Sequence, residues 1–295
     1  MDILKIACPR CDWQPDGQPH WRCTCGHSWN TFETKGKCPE CGIQWKDTYC
    51  PACHASSAHS MWYTTSITRE EPVPHNIIEL KSRKDKAESK LLTYGLKDSK
   101  ITYLPYLDFS AEEFQAPYEV GCRILILWAV SYVASNLGEK DEIANWLKTW
   151  GLWDKVSERE KKLFTEELPE RALMDFSWHI EAVIVLCWAV NLLEDLPDLN
   201  TEISDSALDA LMAKLPIDEN PEIFLSILTY RDKEEIFIEN IINEMITWYL
   251  RDKMLKKKEN ESNVNPTISF ERHFALNWIR KFGEISDWDE TDTST

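Results

Sequence analysis

Apolar residues recur every three or four positions over most of the chain from about residue 111 onward, which is the period of an α-helix. Glycine and proline residues separate the periodic segments, as they commonly do at helix ends. Segment 118–137 is strongly apolar, and the wholly apolar middle of segment 169–193 should be central in the domain that these helices build. The predicted helices span residues 118–137, 141–150, 158–168, 169–193, 204–215, 221–229, 231–257 and 268–282.

Three stretches of the chain carry more detailed signals. Ser157 and Glu160 have the spacing of a capping box, which predicts a helix start at that point. The charged run 81–90 indicates a solvated helix face. Helix 231–257 is amphipathic and should bury one stripe. The residues of that stripe are Ile236, Ile238, Ile241, Ile242, Met245, Trp248 and Tyr249.

The first 66 residues lack this period and instead hold four close pairs of cysteines. A tetrahedral Zn²⁺ takes four soft ligands, so four pairs predict two Cys₄ sites. The residue after each pair is of a type that tolerates positive φ, which a turn wrapped around a metal tends to need. The pairs are Cys8 and Cys11, Cys23 and Cys25, Cys38 and Cys41, and Cys50 and Cys53, followed by Asp12, Gly26, Gly42 and His54.

The competing interpretation of these cysteines is a disulfide framework. Residues 1–5 lead directly into the first pair without a signal peptide, so we expect a cytoplasmic, reducing location and thiols that bind metal. A complete Cys₄ shell leaves no open position for water, so both zinc ions should be structural. Segment 21–42 resembles one zinc ribbon, which would leave Cys8 and Cys11 to join Cys50 and Cys53. Sequential pairing remains an equally open alternative.

Together these patterns predict a mainly α fold, in which a bundle-like multi-helix domain follows a small β-hairpin zinc-ribbon module with two Cys₄ sites. Residues 67–78 contain two prolines among charged residues, which is typical of a linker. The predicted organisation is therefore a double zinc-ribbon module at 1–66, a linker at 67–78 and an all-helical domain at 79–295.

The charge of the chain is strongly uneven. Its net charge is −17, yet the first 66 residues hold six Lys and Arg against six Asp and Glu. The acidity therefore belongs to the rest of the chain, where it disfavours nucleic acid and favours a basic protein partner. Neither long apolar run, 124–130 or 182–190, reaches the ~20 residues that a membrane span requires. We therefore expect no membrane association.

Four sequence blocks resemble the bacterial domain of unknown function 4272 in their order and spacing, over roughly residues 79–295. The resemblance implies an all-helical fold and supplies no activity. The cysteine-rich module lies outside the family pattern. The blocks are RILILWAV at 123–130, WGLW at 150–153, EAVIVLCWAV at 181–190, and ERHFALNW at 271–278 followed by Trp288-Asp289 and Asp292-Thr293.

Charged residues mark the beginnings of the apolar runs and the carboxyl-terminal blocks. Charges at buried helix ends are costly unless they are paired, so we expect a polar network there. The network could tie the last helix and tail to the core, form a polar pocket with a catalytic role, or present a partner-binding face. Its predicted members are Arg123, Glu181, Glu271, Arg272, Asp289 and Asp292.

Catalytic signatures are absent from the sequence. It has no Gly-rich phosphate loop, no Gly-x-Ser-x-Gly and no His-Glu-x-x-His motif. Cys122 and Cys187 lie in apolar helices and should be inert. His179 and His273 are each two residues from a glutamate, so on one helix neither pair would face the same way. We therefore predict a non-enzymatic protein.

The predicted function is binding and neutralising a basic protein, as an immunity protein or antitoxin does, with structural zinc as support. One alternative is nucleic-acid binding through the ribbons, although the charge makes it unfavourable. Another is an uncharacterised enzyme with a site at Arg123, Glu181 and Glu271. The bases of a nucleic acid would stack on Trp13, Trp21, Trp29, Trp45 and Trp62.

Overall fold

The computed structural model describes residues 3–66, 77–97, 99–109 and 113–293. The chain divides into two compact units. The first comprises Met1–Lys81 with Ile101–Asp108, and the second Ser82–Lys100 with Phe109–Thr295. Residues 67–76 of the predicted linker lie outside the described residues.

Short antiparallel strand pairs form the scaffold of the first unit. Strand β1 (Ile3–Ile6) pairs with β6 (Tyr63–Ser66), so the two ends of the cysteine-rich module meet in one sheet. Strand β2 (Trp21–Arg22) pairs with β3 (Ser28–Trp29), and β4 (Asp47–Tyr49) pairs with β5 (Ser56–Ala58). Both of these pairs are hairpins, and each hairpin loop carries one pair of cysteines.

Helices make up most of the second unit, and the first of them begins within the first unit, at Ile77. The predicted mainly α fold is therefore confirmed. Most of the predicted segments are helical, with ends that differ by a few residues. The helices are α1 (Ile77–Thr93), α2 (Pro117–Ser135), α3 (Lys140–Thr149), α4 (Glu158–Thr165), α5 (Glu170–Ser177), α6 (His179–Ala189), α7 (Asp205–Met212), α8 (Glu222–Ile227), α9 (Lys233–Leu255) and α10 (Pro266–Ile279).

Helices α2 and α6 form the centre of this unit, and α6 also packs on α10. Every side chain from Val120 to Val130 is buried, as is every one from Glu181 to Val190. Two stretches, Pro117–Ser135 and Glu170–Ala189, are long and apolar enough to cross a membrane by length and composition. In the protein 78% and 61% of these two windows are buried, which is what core helices show.

The prediction of one helix over residues 169–193 is wrong in two respects. It is divided at Trp178 into α5 and α6, and it ends at Ala189. At the division the Ser177 hydroxyl donates to the Met174 carbonyl at 2.7 Å, while the competing Trp178 amide lies 3.4 Å from that carbonyl. At the end, Asn191 adopts positive φ and the Leu192 amide returns to the Cys187 carbonyl, as in a helix C-cap.

The buried face of α9 also differs from the predicted stripe. Trp248 is 46% exposed, whereas the polar residues Asn240, Asn243 and Thr247 are buried. They form a ladder of hydrogen bonds with α10, which no apolar pattern could indicate. Its rungs are Asn240 Nδ2 to Asn277 Oδ1 at 2.8 Å, Ser269 Oγ to Asn243 Oδ1 at 3.4 Å, Thr247 Oγ1 with His273 Nδ1 at 2.9 Å, and Arg280 to Asn240.

The histidine in this ladder predicts a pH dependence of stability. Burial, reinforced by Arg251 and Arg280, lowers the pKa of His273 to about 3. Below about pH 6.5, His273 therefore binds a proton in the unfolded chain but stays neutral in the folded chain. The stabilisation is complete above that pH and is lost as the pH falls towards 3, at up to about 1.4 kcal/mol per pH unit.

Denaturant titrations followed by helical circular dichroism at neutral pH and near pH 4.5 measure this effect. The His273→Gln variant should be less stable than the wild type at neutral pH and should lose less stability on acidification. Replacing the exposed His20 by Gln should leave the pH profile unchanged. A wild-type pH profile retained in full by His273→Gln would assign the dependence to other groups.

Candidate functional sites

The structure brings the eight cysteines into two clusters of four. One contains Cys8, Cys11, Cys50 and Cys53, and the other contains Cys23, Cys25, Cys38 and Cys41. Within each cluster the Sγ atoms all lie within 4.8 Å of one another. Of the two pairings that the sequence left open, the structure has the nested one. All eight thiols are free, so none forms a disulfide.

The distances between the sulfurs suit a tetrahedral ion. The sulfur–sulfur separations include 3.7 Å for Cys8–Cys53, 3.7 Å for Cys11–Cys50, 3.5 Å for Cys23–Cys41 and 3.7 Å for Cys25–Cys38. A zinc–sulfur bond of about 2.3 Å places tetrahedral sulfurs about 3.8 Å apart. A disulfide would instead require about 2.05 Å. Each cluster therefore fits a single metal ion.

Repeated backbone bonds shape the turns that present the thiols. In the three pairs with two intervening residues, the amide of the first cysteine donates to the carbonyl of the residue five positions later. The carbonyl of the same cysteine accepts from the amide four positions later. At Cys38, for example, the partners are the Ile43 carbonyl at 2.9 Å and the Gly42 amide at 3.0 Å. The Cys23 turn is one residue shorter and shifts both partners by one position.

The residue after each pair has positive φ, as the sequence predicted. The angles are 59° at Asp12, 93° at Gly26, 75° at Gly42 and 60° at His54. These residues reverse the chain immediately after the second ligand, so both thiols of a pair face the same point.

Crowding of the thiols makes their ionisation uneven. The Cys25 backbone amide donates to the Cys23 sulfur and lowers the pKa of Cys23 to about 6. Burial raises the pKa of Cys53, and the neighbouring thiols of Cys11, Cys50 and Cys8 raise it further. Four thiolates so close together repel one another, and a divalent cation would offset that repulsion. Both clusters could therefore hold metal ions.

Aromatic side chains support the clusters. Trp62 is fully buried and packs with Phe32 near Cys8 and Cys50, while Trp29 packs near Cys23 and Cys38. Tryptophans predicted to stack bases in a nucleic-acid complex are thus partly occupied in the module's own cores.

The predicted network placed Arg123 with Glu181, but in the structure Arg123 has other partners. Its guanidinium binds the carboxylate of Glu160 at 2.9 and 3.0 Å and donates to the Lys155 carbonyl at 2.8 Å. Glu160 also closes the predicted capping box, because its Oε2 accepts from the Ser157 amide. The face of Arg123 lies 4.9 Å from the ring centre of Trp288. This pair connects α2, α4 and the carboxyl-terminal tail.

Glu181 pairs instead with Arg272 in the interior. The guanidinium donates to Glu181 Oε2 from Nε at 3.2 Å and from Nη2 at 2.9 Å, and it also donates to the Pro197 carbonyl. Both side chains are almost wholly inaccessible, with exposed fractions of 1% and 0%. Burial raises the pKa of Glu181, and the charge of Arg272 acts against that shift. The pair joins α6 to α10.

Glu271 contacts a third partner, His179, which the sequence had not paired with it. His179 Nδ1 lies 2.9 Å from Glu271 Oε2, and both side chains are about one-tenth exposed. Helical spacing within one element could not reveal this pair, because its members lie 92 positions apart on α6 and α10.

The two tail aspartates lie against the helices. Asp289 Oδ2 accepts from the Arg159 amide at 3.1 Å, in the first turn of α4, where a negative charge is favoured. The Asp292 backbone carbonyl accepts from Asn277 Nδ2 at 2.7 Å. The six predicted residues thus form several pairs around α10 and the tail, rather than a single network.

Comparison with known proteins gives one match. The sequence model of a family described as Domain of unknown function (DUF4272) matches residues 83–291. No curated protein and no solved structure matches the chain. The two cysteine clusters lie outside the matched residues.

Proposed function

Since the chain belongs to the DUF4272 family, whose description names no activity, we propose from its own surface that it is a non-enzymatic protein that binds a basic protein partner. The partner would be neutralised on binding, as a toxin is by an immunity protein or antitoxin. The two Cys₄ clusters would hold structural zinc ions, which keep the first unit folded.

The carrying observation is the acidic stretch 194–222, which includes α7 and the start of α8. It contains nine Asp and Glu residues and one basic residue, Lys214. All nine acidic residues are exposed. Of these nine, only Asp198 has an ion pair with a described residue, Lys90, at 3.3 Å. The remaining carboxylates create a negative field that attracts a basic surface and accelerates its association.

Exposed apolar side chains lie at the end of this stretch. Ile223 and Ile227 are 77% and 68% exposed and lie four residues apart on α8, so they share one face. The opposite face of α8 packs on α2, where Leu225 and Leu228 occupy the space that a side chain at Gly121 would fill. The isoleucines are thus held outward, and an apolar patch beside charged groups is typical of protein interfaces.

The alternatives have weaker support. Residues 1–66 have balanced charge, and four thiolates around one divalent ion would add about −2 for each cluster, which disfavours nucleic acid. The alternative enzyme site would use Arg123, Glu181 and Glu271. Arg123 is already paired with Glu160, and Glu181 with Arg272.

Copurification of the tagged full chain from its native host tests the proposal. We expect a basic protein to be retained at low salt and to arrest growth when it is expressed alone. Replacing Ile223 and Ile227 by Ser, or Asp205 and Asp209 by Lys, should weaken its binding about tenfold or more, or by about 1.4 kcal/mol.

Matched variants separate this surface from general charge. The double replacement Glu166→Lys with Glu167→Lys changes the net charge equally at two other exposed positions and should leave the affinity within about threefold. Retention of no basic protein, or equal loss of affinity in the control, would refute the proposal.

A further inference from the structure

A cleft of about 500 Å³ lies in the helical unit, between α4, α5, α6, α9, α10 and the tail. Aromatic rings supply much of its wall: Phe176, Trp178, Phe270, Phe274 and Trp288. Some of these rings pack edge to face, with centroids 4.8 Å apart for Phe274 and Trp288. The volume lies within the range of small-molecule sites, which are mostly apolar with a few polar groups.

The pair of His179 and Glu271 lines the same cleft. With Glu271 ionised, its carboxylate accepts the Nδ1 proton of His179, and the other ring nitrogen, Nε2, keeps its lone pair. Nε2 has no hydrogen-bond partner among the described residues. It is also not one of the fully buried unpartnered atoms, so solvent or a ligand can reach it. It is therefore an accessible hydrogen-bond acceptor whose tautomer Glu271 fixes.

The other polar groups of the cleft include two side chains with partners, one guanidinium and one further acceptor. Both oxygens of Glu160 bind Arg123, and Arg251 binds the Thr293 carbonyl and hydroxyl. The guanidinium of Arg159 lies 5.7 Å from the ring centre of Phe176. Asp175 is exposed and bonds to no described residue. A ligand would therefore meet aromatic surfaces, the acceptors of His179 and Asp175, and the guanidinium of Arg159, which donates.

We propose that this cleft binds a small planar nitrogen heterocycle, of indole or purine size, whose ring N–H donates to Nε2 of His179. The aromatic walls provide contact area for a flat ring system, and edge or offset contacts with such rings are favourable. Glu271 acts as a positioning residue, because it fixes the tautomer and orientation of the imidazole. This site is separate from the acidic surface proposed to bind a protein.

Two probes of nearly equal shape test the role of the donor. Indole carries the ring N–H, and 1-methylindole lacks it. Calorimetric and ligand-observed NMR titrations of the full chain should show indole binding at least about tenfold tighter than 1-methylindole. Adenine, titrated in the same way, tests the purine size. Absence of binding by both indole and adenine at millimolar concentration, or equal binding of indole and 1-methylindole, would overturn the proposal.

Variants locate the binding. In His179→Phe the ring volume is kept and the acceptor is lost, so the preference for indole should disappear while 1-methylindole binds as before. Thr267 lines the cleft at a half-buried position in the first turn of α10, and Thr267→Trp should fill the space and abolish binding of both probes. Should His179→Phe fail to fold, Thr267→Trp still decides, because unchanged indole affinity in that variant would place the binding elsewhere.

Discussion

Removal of metal by a strong chelator should unfold the first unit and leave the helical signal of the second unit in place. The first unit has short strand pairs of two to four residues and small cores around Trp62 and Trp29. A small scaffold whose cores are this limited usually depends on a metal or on disulfides for its stability. Apparent binding free energies of structural zinc are about 10–16 kcal/mol, and that energy is also folding energy.

Elemental analysis and circular dichroism measure the outcome. The wild type should contain about two zinc ions per chain, as two Cys₄ clusters require. Cys38→Ser should lose one of them, together with the structure around the β2–β3 hairpin. Cys122→Ala is the matched control, because that thiol is buried in α2, outside both clusters, and should leave the metal content unchanged.

A chain purified with no metal, yet showing the native near-ultraviolet signal of its tryptophans, would contradict the structural role. Retention of two ions by Cys38→Ser would contradict the assignment of the ligands.

Replacing Arg272 by Met should destabilise the helical unit by about 3–5 kcal/mol. Arg272 is fully buried and is held by Glu181 and by the Pro197 carbonyl. Its loss leaves an uncompensated carboxylate in the interior, which costs more than the ion pair contributes. Denaturant titration of the helical signal gives the free energy of unfolding directly.

Two comparisons identify the cause of that loss. The double variant Glu181→Met with Arg272→Met removes both charges and should recover most of the stability. Glu119→Gln breaks the ion pair with Lys155, whose side chains are 41% and 37% exposed, and should cost less than about 1 kcal/mol. Equal losses in the single and double variants would show that packing, and not the unpaired charge, causes the effect.

Local signals in the sequence were sufficient for much of this architecture. The capping box at Ser157, the positive φ after each cysteine pair and the helical period depend on residues close in sequence. The sequence predicted that charges at buried helix ends are paired, and in the structure Arg123, Glu181 and Glu271 each have a partner. It could not say which partner, because Arg123 with Glu160 and His179 with Glu271 are neighbours only after the helices pack.

The wrong stripe on α9 and the unpredicted cleft have the same physical origin. The stripe predicted for α9 followed apolar residues, whereas the face towards α10 buries Asn240, Asn243 and Thr247, each satisfied by a partner on the other helix or its own. From the sequence alone, polar residues on a helix are predicted to be exposed. Their burial becomes evident only when the partner helix is known. The aromatic walls of the cleft likewise come from segments far apart in the chain, so no local motif marks them.

The nesting of the two cysteine clusters implies an order of assembly during synthesis on the ribosome. The inner cluster closes across 18 positions between Cys23 and Cys41, whereas the outer one must wait until Cys53 has emerged, 45 positions after Cys8. The longer loop also costs about 0.8 kcal/mol more to close. The inner ribbon can therefore capture its ion first, and the outer ion then joins the beginning of the module to its end.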